Sequence, residues 1–185
     1  MDNCYQLLTS KEILAVLDGD EELGTYQSAD GSSIPLRMPY LSGPALCEIS
    51  TKFGLAMQYS RDGGNLSRWM YLKELIEHCI ANNKASSLLS FLLGKQQFSK
   101  MLVGQSPIEI ENIYSVIVSK VINRVNGILY FSGYELAVVG DQYIVKRIDE
   151  KISIAAPKIK TITRGYIKEL SDRALSDIEQ NHELY

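Results

Sequence analysis

The chain has 185 residues, which suits a single domain of ordinary size with or without a short appendage. Hydrophobic residues make up 45% of it and charged residues 22%, so it can bury a core and is not a disordered tail. A formal charge of −3 excludes a protein that is basic overall, although it leaves room for a local basic patch.

The N-terminal stretch MDNCYQLLTSKE has neither the basic flank nor the apolar run of a secretory signal. The most apolar region, 113–131, is interrupted by Lys120, Arg124 and Asn126, which a membrane span tolerates poorly. We therefore expect a cytoplasmic protein with no membrane segment. The three cysteines are an odd number at wide spacings, which predicts reduced thiols.

A first helix is predicted at 11–18, where Thr9 and Glu12 have the spacing of a capping box. The acidic, Gly- and Ser-rich stretch 19–33 has no hydrophobic period and predicts a surface loop. Two proline residues in 34–40 favour extended backbone, because proline pushes its predecessor out of the helical region.

The same helical spacing of apolar residues continues along the chain. It predicts helices at 42–54, 66–82, 86–93 and 107–126, with another turn at 96–102. Ser42 and Pro44 are typical of a helix start, and the Gly-rich stretch 61–65 predicts a loop tip. The helix at 107–126 has the broadest apolar stripe, so we expect it to be the central helix of the core.

After residue 126 the period changes to short β-branched and aromatic runs. We predict strands at 128–131, 135–139 and 143–148, with glycine-containing turns between them. This pattern is typical of a small three-stranded antiparallel meander.

Together these elements predict an α+β fold in which residues 1–150 form one mainly helical domain of about six helices with the meander. Residues 151–162 predict an extended connector around Pro157. The amphipathic pattern of 163–185 predicts a trailing C-terminal helix that leads into a further domain.

The sequence offers little for catalysis. His78 and Cys79 are neighbours on a helix and point about 100° apart, so they cannot form a direct nucleophile–base pair. The acidic stretch that begins at Asp18 fails as a calcium loop, because Leu23 stands where glycine is needed. We therefore expect no enzyme activity, no cofactor and no metal site.

A partner-binding rim is predicted where the Gly-rich loop leads into an Arg-Trp helix start. Loops of this kind carry binding residues, and arginine and tryptophan are favoured at interfaces. The residues of this rim are Arg61, Asn65, Arg68 and Trp69. Trp69 is equally compatible with a place in the core.

Four segments carry a family resemblance: MPYLSGPALCEISTKFGL (38–55), LSRWMYLKELIEHCI (66–80), NRVNGILYFSGYELAVVGDQYIVKRID (123–149) and APKIKTITRGYIKELSDRALSDIE (156–179). Together they resemble the N-terminal region of bacterial abortive infection family proteins. The resemblance implies phage defence, and it implies that this region precedes a helical domain related to HEPN-type nuclease modules. The Arg-x(4–6)-His signature of those nucleases is missing, because Arg68 and His78 lie too far apart, as do Arg173 and His182.

The resemblance therefore implies a non-enzymatic sensing, regulatory or oligomerisation module whose partner is another protein, a second copy or its own C-terminal effector domain. The alternative is a nucleic-acid-binding regulator that uses the 134–148 hairpin and the basic 146–173 stretch. Its candidate phosphate contacts are Lys146, Arg147, Lys158, Lys160 and Arg164.

Overall fold

The computed structural model describes residues 4–28, 31–61 and 64–149. The chain divides into two units, Met1–Glu150 and Lys151–Tyr185, and every described residue belongs to the first. The predicted connector at 151–162 and the predicted helix at 163–185 lie outside the described residues, as do Lys158, Lys160 and Arg164.

The first unit mixes helices with short strands, as the sequence predicts. In chain order its elements are α1 (Lys11–Leu17), β1 (Thr25–Gln27), β2 (Ser33–Pro35), α2 (Gly43–Lys52), β3 (Ser60–Arg61), β4 (Gly64–Asn65), α3 (Arg68–Ala81), α4 (Ala85–Leu92), α5 (Pro107–Leu129), β5 (Tyr134–Val139) and β6 (Gln142–Arg147). Three 3-10 helices join them, at Cys4–Thr9, Lys95–Phe98 and Tyr130–Ser132. Among the described residues, no helix has both the length and the apolar character that crossing a membrane requires.

The strands form three separate antiparallel pairs, β1–β2, β3–β4 and β5–β6. In β5–β6, Leu136 lies opposite Val145 and both side chains are buried. The predicted hairpin is therefore present, but the predicted three-stranded meander is wrong. The predicted surface loop at 19–33 also needs correction, because it contains β1 and the first residue of β2, and the predicted loop tip at 61–65 contains the end of β3 and all of β4.

The expected first strand of the meander, 128–131, instead continues α5 and the 3-10 helix after it. Leu129 follows Val125 and Val121 at helical spacing, and all three are buried in the core. Staying helical therefore buries Leu129 in line with the existing stripe. The helical stretch ends only at Gly133, whose φ of +78° suits glycine better than other residues.

A side chain of α5 occupies the place where the third strand was expected. The Asn126 carboxamide accepts a hydrogen bond from the Leu136 amide at 2.6 Å and donates one to the Leu136 carbonyl at 3.1 Å. This is the pair of bonds that a neighbouring strand would make with one residue of a ladder. The hairpin is thus tied to the helix through one polar residue.

Helix α5 buries one face in the hydrophobic cluster, exposes the other to solvent, and packs against α1 and β5. Its start follows the sequence prediction, because the Ser106 hydroxyl accepts a bond from the Glu109 amide and Pro107 occupies the first turn. Ser42 caps α2 in the same way. The predicted capping box of α1 is wrong, because the Thr9 hydroxyl instead donates to the Gln6 carbonyl at 2.7 Å.

Candidate functional site

The predicted partner-binding rim lies on the β3–β4 pair and at the start of α3. Arg61 pairs with Gly64 in the two-stranded ladder, and Asn65 is exposed at its end. The buried Tyr71 fixes this hairpin to α3, because its hydroxyl accepts from the Leu66 amide at 2.9 Å and donates to a carbonyl before β3. Tyr71 thus joins the hairpin that carries Arg61 and Asn65 to the helix that carries Arg68 and Trp69.

Arg68 is committed to contacts within the domain, and only 15% of its side chain is exposed. Its guanidinium pairs with the carboxylates of Asp18 and Asp20, and it donates to the Asp18 carbonyl at 3.4 Å. The same guanidinium stacks over the ring of Tyr40, with 3.8 Å between Cζ and the ring centroid. Arg68 thus orients an aromatic ring as well as neutralising two acids.

Asp18 is fully buried at the end of α1. Burial raises the pKa of its carboxyl group, and the Arg68 charge opposes that shift without cancelling it. Its Oδ1 accepts from the Asp20 amide at 3.1 Å, whereas its Oδ2 lies 3.7 Å from Arg68 and has no hydrogen-bond partner among the described residues. The pair is therefore close but incompletely hydrogen-bonded.

Gly19 brings this acidic turn against the chain that leads to Tyr40. Its φ is +82°, and a Cβ atom there would lie 2.5 Å from the carbonyl oxygen of Met38. Only glycine allows this approach, because the obstructing atom belongs to the backbone. The turn, Arg68 and Tyr40 are consequently held in one arrangement.

Trp69 is half-buried and packs against the core. The ammonium group of Lys11 lies 5.9 Å from its ring centroid. Trp69 therefore combines the two interpretations that the sequence allows, with part of its ring in the core and part at the surface.

Tyr40, whose ring stacks with Arg68, also lines a groove of about 440 Å³. The groove lies between the segment 37–41, helix α2, and the chain from Phe91 to Met101. Helix α2 contributes side chains three and four residues apart, which therefore share one face. We call this feature the cationic groove, after its lining residues Arg37, Lys52 and Lys100.

The three cations of the groove differ from several others in the domain. Five other described cations lie within 4 Å of a carboxylate: Arg68, Lys73, Lys95, Arg124 and Lys146. No such ion pair is formed by the three groove cations within the described part of the chain. Their charge is therefore available to a ligand.

Aromatic rings form two of the groove's walls. Tyr40 is 62% exposed, which is high for so large a side chain. Phe91 lies 5.1 Å from the Lys52 ammonium group and packs edge-to-face on Phe53, with 5.8 Å between the ring centroids. The ammonium group of Lys52 is thus held beside an apolar wall.

The lining of the groove is poor in the groups that most often catalyse reactions. Glu48 is the only carboxylate among the lining residues, and none of them is a histidine or a cysteine. Across the described residues, no group of three or more His, Cys, Asp or Glu could hold a metal ion.

His78 and Cys79 lie away from the groove, on α3. The His78 Nε2 is 3.3 Å from the Phe53 carbonyl oxygen. Cys79 is fully buried, and burial raises the pKa of its thiol to about 11. A thiol in that state is a poor nucleophile at neutral pH.

The residues of the nucleic-acid alternative are only partly described. Lys146 is 14% exposed and pairs with Glu135 across the β5–β6 ladder at 2.5 Å. Arg147 is exposed at the end of the hairpin. Of the five predicted phosphate contacts, two are therefore placed, and one of these is engaged with an acid.

No protein-family model, curated protein or solved structure matches this chain. The groove cannot be predicted from local sequence patterns, because its residues come from three separate stretches of the chain. The one local signal was the spacing of Ala45, Glu48 and Lys52, which places them on one face of α2.

Proposed function

We propose that this chain is a non-enzymatic sensing module of an abortive infection defence protein, and that the cationic groove is the surface with which it senses an anionic ligand. The observation that carries the proposal is a cavity of about 440 Å³ lined by three cations that have no carboxylate partner within the described part of the chain. Cavities of this size commonly accept small molecules.

The charge of the groove contrasts with that of the whole chain. The chain has a formal charge of −3, whereas the groove brings three cations together with one carboxylate, Glu48. Clefts lined by one sign of charge concentrate ligands of the opposite sign. An anionic trigger would therefore be attracted to this face of an otherwise acidic protein.

A sensing role also agrees with the lining chemistry. The lining offers one carboxylate and no imidazole or thiol, so it is poor in the groups that most often transfer protons. Binding followed by a change in assembly or in an effector domain needs neither group. The resemblance to abortive infection proteins supplies the biological setting, which is defence against phage.

The alternative remains a nucleic-acid-binding regulator that uses the β5–β6 hairpin and the basic 146–173 stretch. The exposed Arg147 supports it, whereas the ion pair between Lys146 and Glu135 weakens it. This alternative predicts an affinity that falls steeply as salt is raised. Replacing Lys146 and Arg147 together by glutamine should then abolish binding to a mixed-sequence duplex.

The test of the proposed function is protection of bacteria against phage by the complete gene. We expect the wild-type gene to reduce plaque counts and a Lys52→Glu/Lys100→Glu variant to lose that protection at an equal protein level. Lys120→Glu serves as the matched control, because Lys120 is exposed on α5 and does not line the groove. A groove variant that protects as well as the wild type contradicts the proposal, as does a wild-type gene that protects against no phage.

A further inference from the structure

We infer that the cationic groove binds a nucleoside 5′-phosphate, with the base stacked on Tyr40 and the phosphate held by the groove cations. The inference rests on the proposed function, because it specifies the ligand of the same groove. It combines two features that occur together there: an aromatic ring with an open side, and cations that form no ion pair with any described carboxylate.

Tyr40 is suited to stacking. Its ring is 62% exposed, and the Arg68 guanidinium covers one face at 3.8 Å from the ring centroid. Arg68 does not line the groove, so Tyr40 meets the groove with its other face or its edge. A nucleobase placed there would be stacked on a ring that a cation already supports from behind.

Arg68 acts here as a positioning residue. Its guanidinium is held by the carboxylates of Asp18 and Asp20 and by the Asp18 carbonyl. These contacts hold the guanidinium in place, and the guanidinium in turn holds the ring of Tyr40. A ligand that stacks on a ring held in advance loses less conformational entropy than one that must order it.

The cations suit a phosphate group. Lys52 and Lys100 are exposed, Arg37 is half-buried, and none of the three has a carboxylate partner within the described part of the chain. Arginine and lysine are the side chains that most often bind phosphate, through charge-assisted hydrogen bonds. The polar groups of Gln96, Gln97 and Ser99 line the same groove and can bond to a base edge or a ribose hydroxyl.

The size of the groove favours a free mononucleotide. A volume of about 440 Å³ holds one base, one sugar and one phosphate, whereas a nucleic acid needs an extended track of cations. A single unstacked nucleotide at the end of an RNA strand has the same chemistry. The experiment must therefore compare the affinity for a free nucleotide with the affinity for an RNA strand.

The experiment is isothermal titration of the full chain with single probes at fixed salt. The probes are the four ribonucleoside 5′-monophosphates, their nucleosides, inorganic phosphate and a single-stranded ten-nucleotide RNA. We expect at least one monophosphate to bind about tenfold or more tightly than both its own nucleoside and phosphate, because each half supplies part of the affinity. We also expect this monophosphate to have a lower dissociation constant than the RNA, with both constants expressed per binding site on the protein.

Variants then test which residues bind the base and which bind the phosphate. Tyr40→Leu should weaken binding of the monophosphate about tenfold, and Lys52→Gln/Lys100→Gln should weaken its binding by a similar factor. Tyr130→Leu and Lys120→Gln are the matched controls, because both residues are exposed and neither lines the groove. Arg68→Lys keeps the charge but removes the planar group that stacks on Tyr40. It should therefore lower the affinity for the monophosphate while leaving the affinity for inorganic phosphate unchanged.

The inference is overturned by several results. Phosphate that binds as tightly as every monophosphate indicates an adventitious ion only, and RNA that binds while the monophosphates do not indicates the nucleic-acid alternative. Absence of binding to all probes also overturns it. The plaque assay judges the proposed function separately, since loss of protection in Lys52→Glu/Lys100→Glu does not depend on the ligand being a nucleotide.

Discussion

At the scale of single residues, the most unusual group is the carboxyl of Asp18. It is fully buried, it lies beside Arg68, and its pKa is raised because burial outweighs the nearby charge. A raised pKa means that the folded state binds the proton more tightly than the unfolded state does. The stabilisation from this group is therefore complete below the unfolded pKa and is lost as the pH rises through the folded pKa.

Replacement of Asp18 by asparagine should remove this pH dependence. Asparagine resembles the neutral acid and keeps an oxygen that can accept from the Asp20 amide. We expect the stability of Asp18→Asn relative to the wild type to increase between about pH 3 and pH 7, as measured by urea unfolding at each pH. Asp141→Asn, in the exposed hairpin turn, provides the control.

A relative stability that decreases over that interval would show that Arg68 outweighs burial. Such a result would contradict the stated pKa direction. It would also change the interpretation of Tyr40, because Arg68 would then be held mainly by its ion pair with Asp18.

At the scale of elements, the junction between α5 and the β5–β6 hairpin depends on one side chain. Asn126 both accepts from and donates to the backbone of Leu136. It is half-buried, so neither bond is easily replaced by water. The hairpin would otherwise be an isolated two-stranded pair, which is marginally stable in water.

Replacement of Asn126 by aspartate tests this junction with almost no change in shape. A carboxylate can accept from the Leu136 amide but cannot donate to its carbonyl, and the two oxygens would repel. We expect Asn126→Asp to lower the free energy of unfolding at neutral pH by about 1–3 kcal/mol. Chemical denaturation measures it, with Asn123→Asp as the control because Asn123 is exposed on the same helix. Equal losses for the two variants would contradict the assigned role.

At the scale of the whole molecule, the described residues share one hydrophobic cluster that extends from Leu8 to Val145. Its members come from all five α-helices and from the β5–β6 hairpin. A cluster shared by so many elements should melt as one unit, because no part of it can be removed without exposing the rest. The cationic groove lies at the surface of this unit.

A chain that ends at Asp149 contains the whole of this cluster and should fold. We expect it to unfold in one calorimetric transition with an enthalpy of roughly 0.7 kcal/mol per residue near 60 °C, or about 100 kcal/mol. A broad transition with a much smaller enthalpy would show that the core needs residues after 149. Scanning calorimetry of this chain beside the full one measures the difference.

Local sequence patterns are enough to predict the helices and the hairpin. Their signals are local: apolar residues three or four apart in α1 to α5, Ser-Pro or Ser-x-Pro starts at Ser106 and Ser42, and a glycine turn between β5 and β6. Each signal lies within one element, so reading along the chain finds it. The mixed fold class followed from these elements.

Tertiary packing determines whether 128–131 forms a helix or a strand. Its β-branched and aromatic residues are typical of a strand, yet Leu129 completes the buried stripe of α5, and Asn126 takes the bonds that a third strand would have made. The helical form is stabilised by residues outside 128–131, so the sequence of that segment alone does not predict it.

The groove is likewise formed by tertiary packing. Its cations Arg37, Lys52 and Lys100 lie far apart in sequence, and none of them belongs to a recognisable motif. Arg68 was singled out from the sequence for a partner-facing rim, but folding placed it between Asp18 and Tyr40. Local patterns determine which element a residue belongs to, whereas the packing of elements determines which charges meet a partner and which remain free for a ligand.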